Sequence, residues 1–433
     1  MKIWLFKAYG PIPGEAWCES RCVMMGRALA ERGHEVVWWT ANFDHYSKQF
    51  RAKGSTEIVV CPGFTIRLVQ TPAYRRHVGF ARLWFEAVFA YRLQRIASKL
   101  PAPQIIVSAD VTMAVAYAAA SLAKRFHANL VFDICDLYPE VFVGILPRRL
   151  RSNGNTILSP LYASRSYFIQ KADAVIAVCD DYLIPAQRAT TLSKDRMLTV
   201  YCGVDLGTFR ASQGSREESR ALADLLCKGE NDVYAIYAGT LGLLYDIDAL
   251  LKAAVLLQAS GSFVKILIAG GGPRADDIRS FIRRNGLLNV QMLGEIGFAE
   301  LIRIYQICDI GLSIYGVDSP VAMPIKVFDY FAAGLPIVNS VRGFLERFLQ
   351  EHHIGAQYAA GDPESLARAL SQMTSDRAAR QEMARNAFDA AVQFDSRVQY
   401  GRFAEMLEAL QGADAASTGP SPDKMGPVLE RRM

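Results

Sequence analysis

Cysteine is sparse and scattered in this chain. The eight residues (Cys18, Cys22, Cys61, Cys135, Cys179, Cys202, Cys227 and Cys308) make no CxxC and no Cys/His ligand grouping. The expectation is therefore reduced cytosolic thiols rather than structural zinc or a disulfide framework. Charge of one sign is also scarce: a net charge of +5 gives no reason to expect nucleic acid as a partner. No run approaches the roughly 20 apolar residues that a membrane span needs. The longest, residues 113–123, reads as a small-residue core helix. The opening MKIWLFKAYGP is broken too early, by Lys7, Gly10 and Pro11, to read as a signal peptide. GxxxxGK[ST] is absent, which excludes a P-loop ATPase, and the glycines fail the GxGxxG pattern of a dehydrogenase.

What is present is a globular composition, 51% hydrophobic and 21% charged over 433 residues, enough for two domains with sizeable cores. Short apolar strands alternate with helices: strand 2–6, a Gly/Pro loop, helix 19–32, strand 35–40, then strand 105–108, helix 113–126 and strands 130–134 and 174–178. After a polar break at 212–232 the alternation restarts at strand 233–238 and continues through strands 265–269, 290–293 and 310–314. The pattern predicts two parallel-sheet α/β domains in tandem, with ligands beyond the carboxyl ends of the strands. The expected divisions are a first domain at 1–201, a linker at 202–232, a second domain at 233–395, a helix at 396–411 and a disordered tail at 412–433.

Four loops following strands are candidates to meet in the cleft. They are 10–15 with Gly14, then Gly239-Thr240-Leu241-Gly242, then 270–273 with Gly271 and Gly272, and finally 319–340, SPVAMPIKVFDYFAAGLPIVNS. The last brings Pro324, Ile325, Lys326 and Asp329 to the start of a helix that Gly334 and Pro336 end. A helix start attracts phosphate, while a carboxylate beside it repels phosphate and suits ribose hydroxyls. A nucleoside diphosphate fits both. In the first domain, Asp110, Asp136 and Glu140 stand at strand ends, where a general base or an N-cap is expected. Asp246 and Asp248 open a helix and read as caps. Helix 79–100 carries Phe80, Leu83, Trp84, Ala87, Val88 and Tyr91 at helical spacing among Arg82, Arg92, Arg95 and Lys99. It reads either as a core helix with a basic side or as a surface helix for anionic lipid. Tyr74, Arg75, Arg76, Arg82 and Trp84 are the candidate membrane or acceptor contacts.

On these residues the chain resembles the family 4 glycosyltransferases of the GT-B fold, in the bacterial polysaccharide and lipopolysaccharide assembly branch. GRALAERGHEVVWWTANFDH (26–45), DLYPE (136–140), YAGTLG (237–242), IAGGGP (268–273) and PIKVFDYFAAGLPIV (324–338) carry the resemblance. It implies an acceptor domain, a nucleotide-sugar domain and a last helix crossing back to the first domain. The implied activity is metal-independent, usually retaining transfer of a hexosyl or N-acetylhexosaminyl group. The partners would be a nucleotide-diphosphate sugar and a lipid-linked saccharide acceptor, at the anionic inner face of the cytoplasmic membrane. The nucleotide-sugar is a substrate, and no cofactor or metal is implied. Asp329 falls where the second glutamate of the family's E-x7-E motif holds the ribose, and Val321 stands at the first. Residues 243–245 offer no cation for the diphosphate, and Lys326 is the expected substitute. The resemblance assigns Gly14, Gly239, Thr240, Gly242, Gly271 and Gly272 to the donor, and Asp110, Asp136 and Glu140 to the acceptor hydroxyl. A nucleotide-sugar 2-epimerase and a catalytically silent subunit share this architecture.

Overall fold

Runs such as IWLF, VVWW and AIYA bury side chains on both faces, which only a sheet covered by helices on both sides can accommodate. The computed structural model describes residues 1–15, 20–45, 47–75, 79–109 and 113–417. Its first sheet has eight strands: β1 (Lys2–Phe6), β2 (Glu35–Ala41), β3 (Thr56–Cys61), β4 (Phe64–Val69), β5 (Ile105–Ala109), β6 (Asn129–Ile134), β7 (Ala174–Ala177) and β8 (Met197–Thr199). Their order is β3-β4-β2-β1-β5-β6-β7-β8. All neighbours are parallel except the β3–β4 hairpin. That hairpin lies outside the expected strand–helix alternation and extends the sheet at one edge.

The second sheet is wholly parallel, with strands β9 (Val233–Ala238), β10 (Val264–Ala269), β11 (Val290–Gly294), β12 (Ile310–Ser313), β13 (Ile337–Asn339) and β14 (Gly355–Gln357). The order is β11-β10-β9-β12-β13-β14, so the chain reverses direction of growth between β9 and β12. Such a switch point opens a crevice beyond the strand ends. Every residue of β9 is buried, as the central strand of a doubly covered sheet requires.

Residues 202–232 are folded. Helix Arg216–Leu225 opens with a capping box, in which Ser215 accepts from the Glu218 N–H and Glu218 accepts from the Ser215 N–H. The last helix, Ser396–Ser417, extends past the expected 411, and residues 418–433 of the expected tail lie outside the described residues. Its Tyr400, Phe403, Ala404, Leu407 and Leu410 pack into the core of the first sheet. At its rim Glu408 receives Arg32 and His34. The chain thus crosses between the domains twice, and the crossings pair: Val204 bridges Asp395, and the Val204 N–H donates to Phe394 O at 3.0 Å. Tyr201, Phe328, Phe344 and Phe394 interlock at this hinge.

Deeper in the first domain, helix α1 (Arg21–Glu31) lays Arg21 against β6. Arg21 Nε and Nη2 donate to both oxygens of Asp133, at 3.0 and 2.9 Å, and Nη1 donates to Val200 O. Both side chains are almost fully buried, and the geometry satisfies each of them.

Candidate functional site

The loops at the carboxyl ends of β9, β10 and β12 close over the helix Lys326–Ala332. Gly239 follows β9 with φ +145°, a conformation side chains avoid. The Lys326 ammonium lies so close that a Cβ added to Gly239 would meet Nζ at 2.9 Å. The third loop presses on the second: a Cβ on Gly272 would meet Leu241 O at 2.6 Å, and one on Gly271 would strike the Glu295 carboxylate. These glycines permit the two loops to stack, and the Leu241 N–H donates to Gly271 O at 2.8 Å. Thr240 is exposed, and its carbonyl accepts from Tyr237 OH at 2.7 Å.

The helix itself is fixed from behind. Tyr330 OH shares its one proton between Ile236 O and Leu312 O and accepts from the Ala238 N–H, which ties the helix to β9 and β12. It ends as expected, with the Leu335 N–H reaching back to Tyr330 O at 2.8 Å and Gly334 in the left-handed region. Pro324 is buried, and Ile325 is exposed at the helix start.

Lys326 Nζ is removed from solvent and has no hydrogen-bond partner among the described residues. It sits over the rings of Tyr237, Tyr245 and Tyr315, at 3.9, 4.9 and 5.5 Å from their centroids. Burial lowers its pKa to about 7. Asp329 is also buried, its Oδ2 has no partner, and burial lifts its carboxyl to about 7. The fold therefore holds a potential cation and a potential anion on one short helix, without pairing them. Leu243 and Leu244, on the loop without a cation, are exposed, and Tyr245 turns in above Lys326. Val321 is partly buried against the hinge core and offers no acceptor.

In the first domain the expected residues disperse. Asp110 and Arg76 lie outside the described residues. Asp136 is exposed after β6, on the side of the partly buried Lys7. Glu140 is engaged: Arg165 Nη1 and Nη2 donate to its two oxygens at 2.7 and 2.9 Å, and Nη1 also reaches Tyr138 O. Gly14 is exposed with φ +88°. Its loop is anchored by Arg51, which donates to Glu15 and to Gly10 O.

Helix α2 (Phe80–Ala97) buries Phe85, Phe89, Leu93 and Ala97, while Phe80, Leu83, Trp84 and Tyr91 face solvent. Arg75, Arg95 and Lys99 are exposed beside them. Tyr74 is buried against His45 and Phe85, and Arg82 donates to Tyr9 OH and Glu86. These two are parts of a packed cluster rather than free surface. The capping reading of Asp246 is corrected: its side chain makes no cap bond and accepts from Tyr358 OH and the Gly361 N–H, at 3.0 and 2.7 Å. Asp248 pairs with Arg274. The three tyrosines around Lys326 have no shared spacing in the chain, so only the fold reveals them.

Comparison with known proteins adds to this geometry. The model of glycosyl transferases group 1 matches residues 225–390, and that of glycosyltransferase family 4 matches residues 19–208. Chitobiosyldiphosphodolichol beta-mannosyltransferase of Kluyveromyces lactis is 29% identical over 124 residues, 28% of this chain and 27% of that relative. The match thus spans about a quarter of the relative's length. Among solved structures, HepE of Anabaena in complex with UDP superposes with a TM-score of 0.69 at 16% identity, covering 94% of this chain and 99% of that one. HepE is also known in complex with UDP-glucose. Sucrose-phosphate synthase from Thermosynechococcus elongatus gives 0.72 at 16% identity, covering 95% and 99%. WaaG, a glycosyltransferase involved in lipopolysaccharide biosynthesis, gives 0.64 at 15% identity, covering 94% and 99%. At these identities the likeness establishes the shared two-domain fold.

Proposed function

Because the chain belongs to the family 4 glycosyltransferases of the GT-B fold, we propose that it moves a hexosyl or N-acetylhexosaminyl group from a nucleotide-sugar to a lipid-linked saccharide in cell-surface polysaccharide synthesis, with retention. The observation that carries this reading is the unpaired Lys326 amine beside Gly239, with Asp329 one turn along the same helix. In a donor complex, Lys326 and the N–H groups of Thr240, Gly242, Gly271 and Gly272 meet the diphosphate, whereas those of Gly239, Leu241 and Gly270 are given to Ala269 O, Gly271 O and Gly294 O. Asp329 accepts from the ribose hydroxyls. As the sugar leaves, charge grows on the diphosphate, and a preorganised cation in a dry site stabilises it. The acceptor enters from the first domain, where, of the described candidates, Asp136 is exposed and able to orient its hydroxyl, while Glu140 shares its oxygens with Arg165.

The outer face of α2, with Phe80, Leu83, Trp84 and Tyr91 among basic residues, suits the surface of an anionic membrane where a lipid-linked acceptor resides. Among the described residues no helix is long and apolar enough to cross a membrane.

Incubation with a panel of nucleotide-sugars and lipid-diphosphate saccharides tests the proposal. The expected result is release of nucleoside diphosphate together with a product of unchanged anomeric configuration by NMR. No release from any pair, with folded protein, overturns it. Val321 and the Arg165-bound Glu140 favour a second reading, a silent binding subunit, whose signature is nucleotide binding without turnover.

A further inference from the structure

Three tyrosines from separate parts of the second domain converge on one amine. Tyr237 comes from β9, Tyr245 from the loop after it, and Tyr315 from just beyond β12. Each is anchored. Tyr237 OH donates to Thr240 O, and the Tyr315 backbone exchanges hydrogen bonds with the Ser340 hydroxyl at 2.7 and 2.9 Å. Tyr245 packs edge-on to Tyr237 and tilted against Tyr315. Lys326 Nζ has these ring faces around it and no oxygen to donate to.

Ring faces attract an ammonium, but they replace only part of the water it has lost. Among the described residues no neighbouring carboxylate makes up the remainder. The titratable groups facing Nζ are the three tyrosines, none of which ionises near neutrality, since burial raises the pKa of each. Asp329, on the same helix, makes no ion pair with it, and burial alone accounts for the lowered basicity of Lys326. A cage of this kind holds the amine in position while leaving its charge incomplete.

We propose that Tyr237, Tyr245 and Tyr315 are positioning residues that keep the Lys326 amine unpaired beside Gly239, so that binding of the donor's diphosphate takes up one proton at Nζ. The nitrogen lone pair accepts a proton from a buffer acid, whose conjugate base remains in solution. The diphosphate oxygens then supply the acceptors that the cage lacks. The inference rests on the donor reading above.

Isothermal titration of the full chain with UDP-glucose at pH 8, in Tris and in HEPES, reads the proton count from the difference in buffer heats. An amine of pKa about 7 is about one-tenth protonated at that pH, and Asp329 is already largely ionised. The expected uptake is therefore roughly 0.8 proton, with affinity falling roughly sixfold from pH 7.5 to 8.5. Lys326→Arg keeps a charge but has no proton to gain, and its uptake is expected near zero. Tyr245→Ala opens the cage to water, which hydrates the ammonium, raises the basicity of Lys326 and reduces uptake while the donor still binds. Binding without uptake in the wild type overturns the inference and leaves the donor reading standing, and uptake that persists in Lys326→Arg does the same. No binding of UDP-glucose, UDP-N-acetylglucosamine or GDP-mannose overturns the donor reading and this inference with it. Selective labelling of the lysine side chains supplies a test without ligand: a Lys326 amine titrating above pH 10 in the empty chain also overturns the cage's role.

Discussion

Replacing Asp329 by alanine is expected to make the empty protein more stable and the donor complex weaker. The carboxyl is buried, its Oδ2 lacks a partner, and its pKa stands at about 7 against an ordinary 3.8. A carboxyl with a raised pKa in the folded state keeps its proton while the unfolded chain releases one. Its contribution to stability is therefore full below about pH 4 and is lost as pH rises through 7. The loss amounts to roughly 4 kcal/mol. Asp329→Ala removes that burden and leaves a small cavity, for a net gain of roughly 2–4 kcal/mol at pH 8 and none at pH 4. For a domain of this size the gain raises Tm by roughly 5–10 °C. Donor affinity moves the other way: hydrogen bonds to a charged acceptor are worth about 1.5–3 kcal/mol each, so binding weakens tenfold or more. Scanning calorimetry at pH 4.5 and 8, with donor titration at pH 8, measures both. A variant less stable than wild type at pH 8 would refute the burial argument, and an unchanged donor affinity would remove Asp329 from the ribose.

Arg21→Met leaves Asp133 buried without its partner, and a loss of about 3–5 kcal/mol is expected in urea unfolding; a loss below about 1 kcal/mol would show that the pair contributes little. Glu140→Gln weakens the bond to Arg165 and should lower stability by about 2 kcal/mol. A fall in kcat with Tm unchanged would instead assign Glu140 a purely catalytic part. Trp84→Ala on the exposed face of α2 should reduce binding to anionic vesicles about tenfold or more, from the loss of an aromatic that the lipid would bury. Wild-type binding should weaken as salt rises. Absence of vesicle binding by the wild type would return α2 to a plain core helix.

Strands buried on both faces were legible because their residues are continuously apolar, as in β1, β6 and β9. The β3–β4 hairpin carries its own signal, a Pro62-Gly63 turn between half-buried strands, but a strand–helix alternation has no place for it. Short β14 offers only three residues, too few for any periodicity. At the site, the motif loops were readable as loops, whereas the use of each side chain was decided by distant partners. Asp246 looks like a cap from its neighbours, yet Tyr358 and Gly361, more than a hundred residues away, take its carboxylate. Glu140 looks free within DLYPE until helix Ser159–Gln170 brings Arg165 against it. Local rules placed these acids at the right ends of elements and then lost to tertiary hydrogen bonds worth more than a cap.

The contrast between the two buried cations explains why the second domain is the donor candidate. Arg21 receives both oxygens of a carboxylate and a main-chain carbonyl, so the first domain completes its buried charge with its own atoms. Lys326 and Asp329 are three residues apart on one helix, a spacing at which opposite charges readily pair. They do not pair. Lys326 turns to the tyrosines beside Gly239, while Asp329 lies close enough to Tyr305 to add to the rise that burial causes in the pKa of its hydroxyl. An ion pair would have neutralised both groups and stabilised the empty fold. Keeping them apart costs stability, and a ligand carrying anionic oxygens at one end and hydroxyl donors at the other recovers it. A nucleoside diphosphate has that polarity, and in the proposed donor complex its phosphates lie toward Lys326 and its ribose toward Asp329.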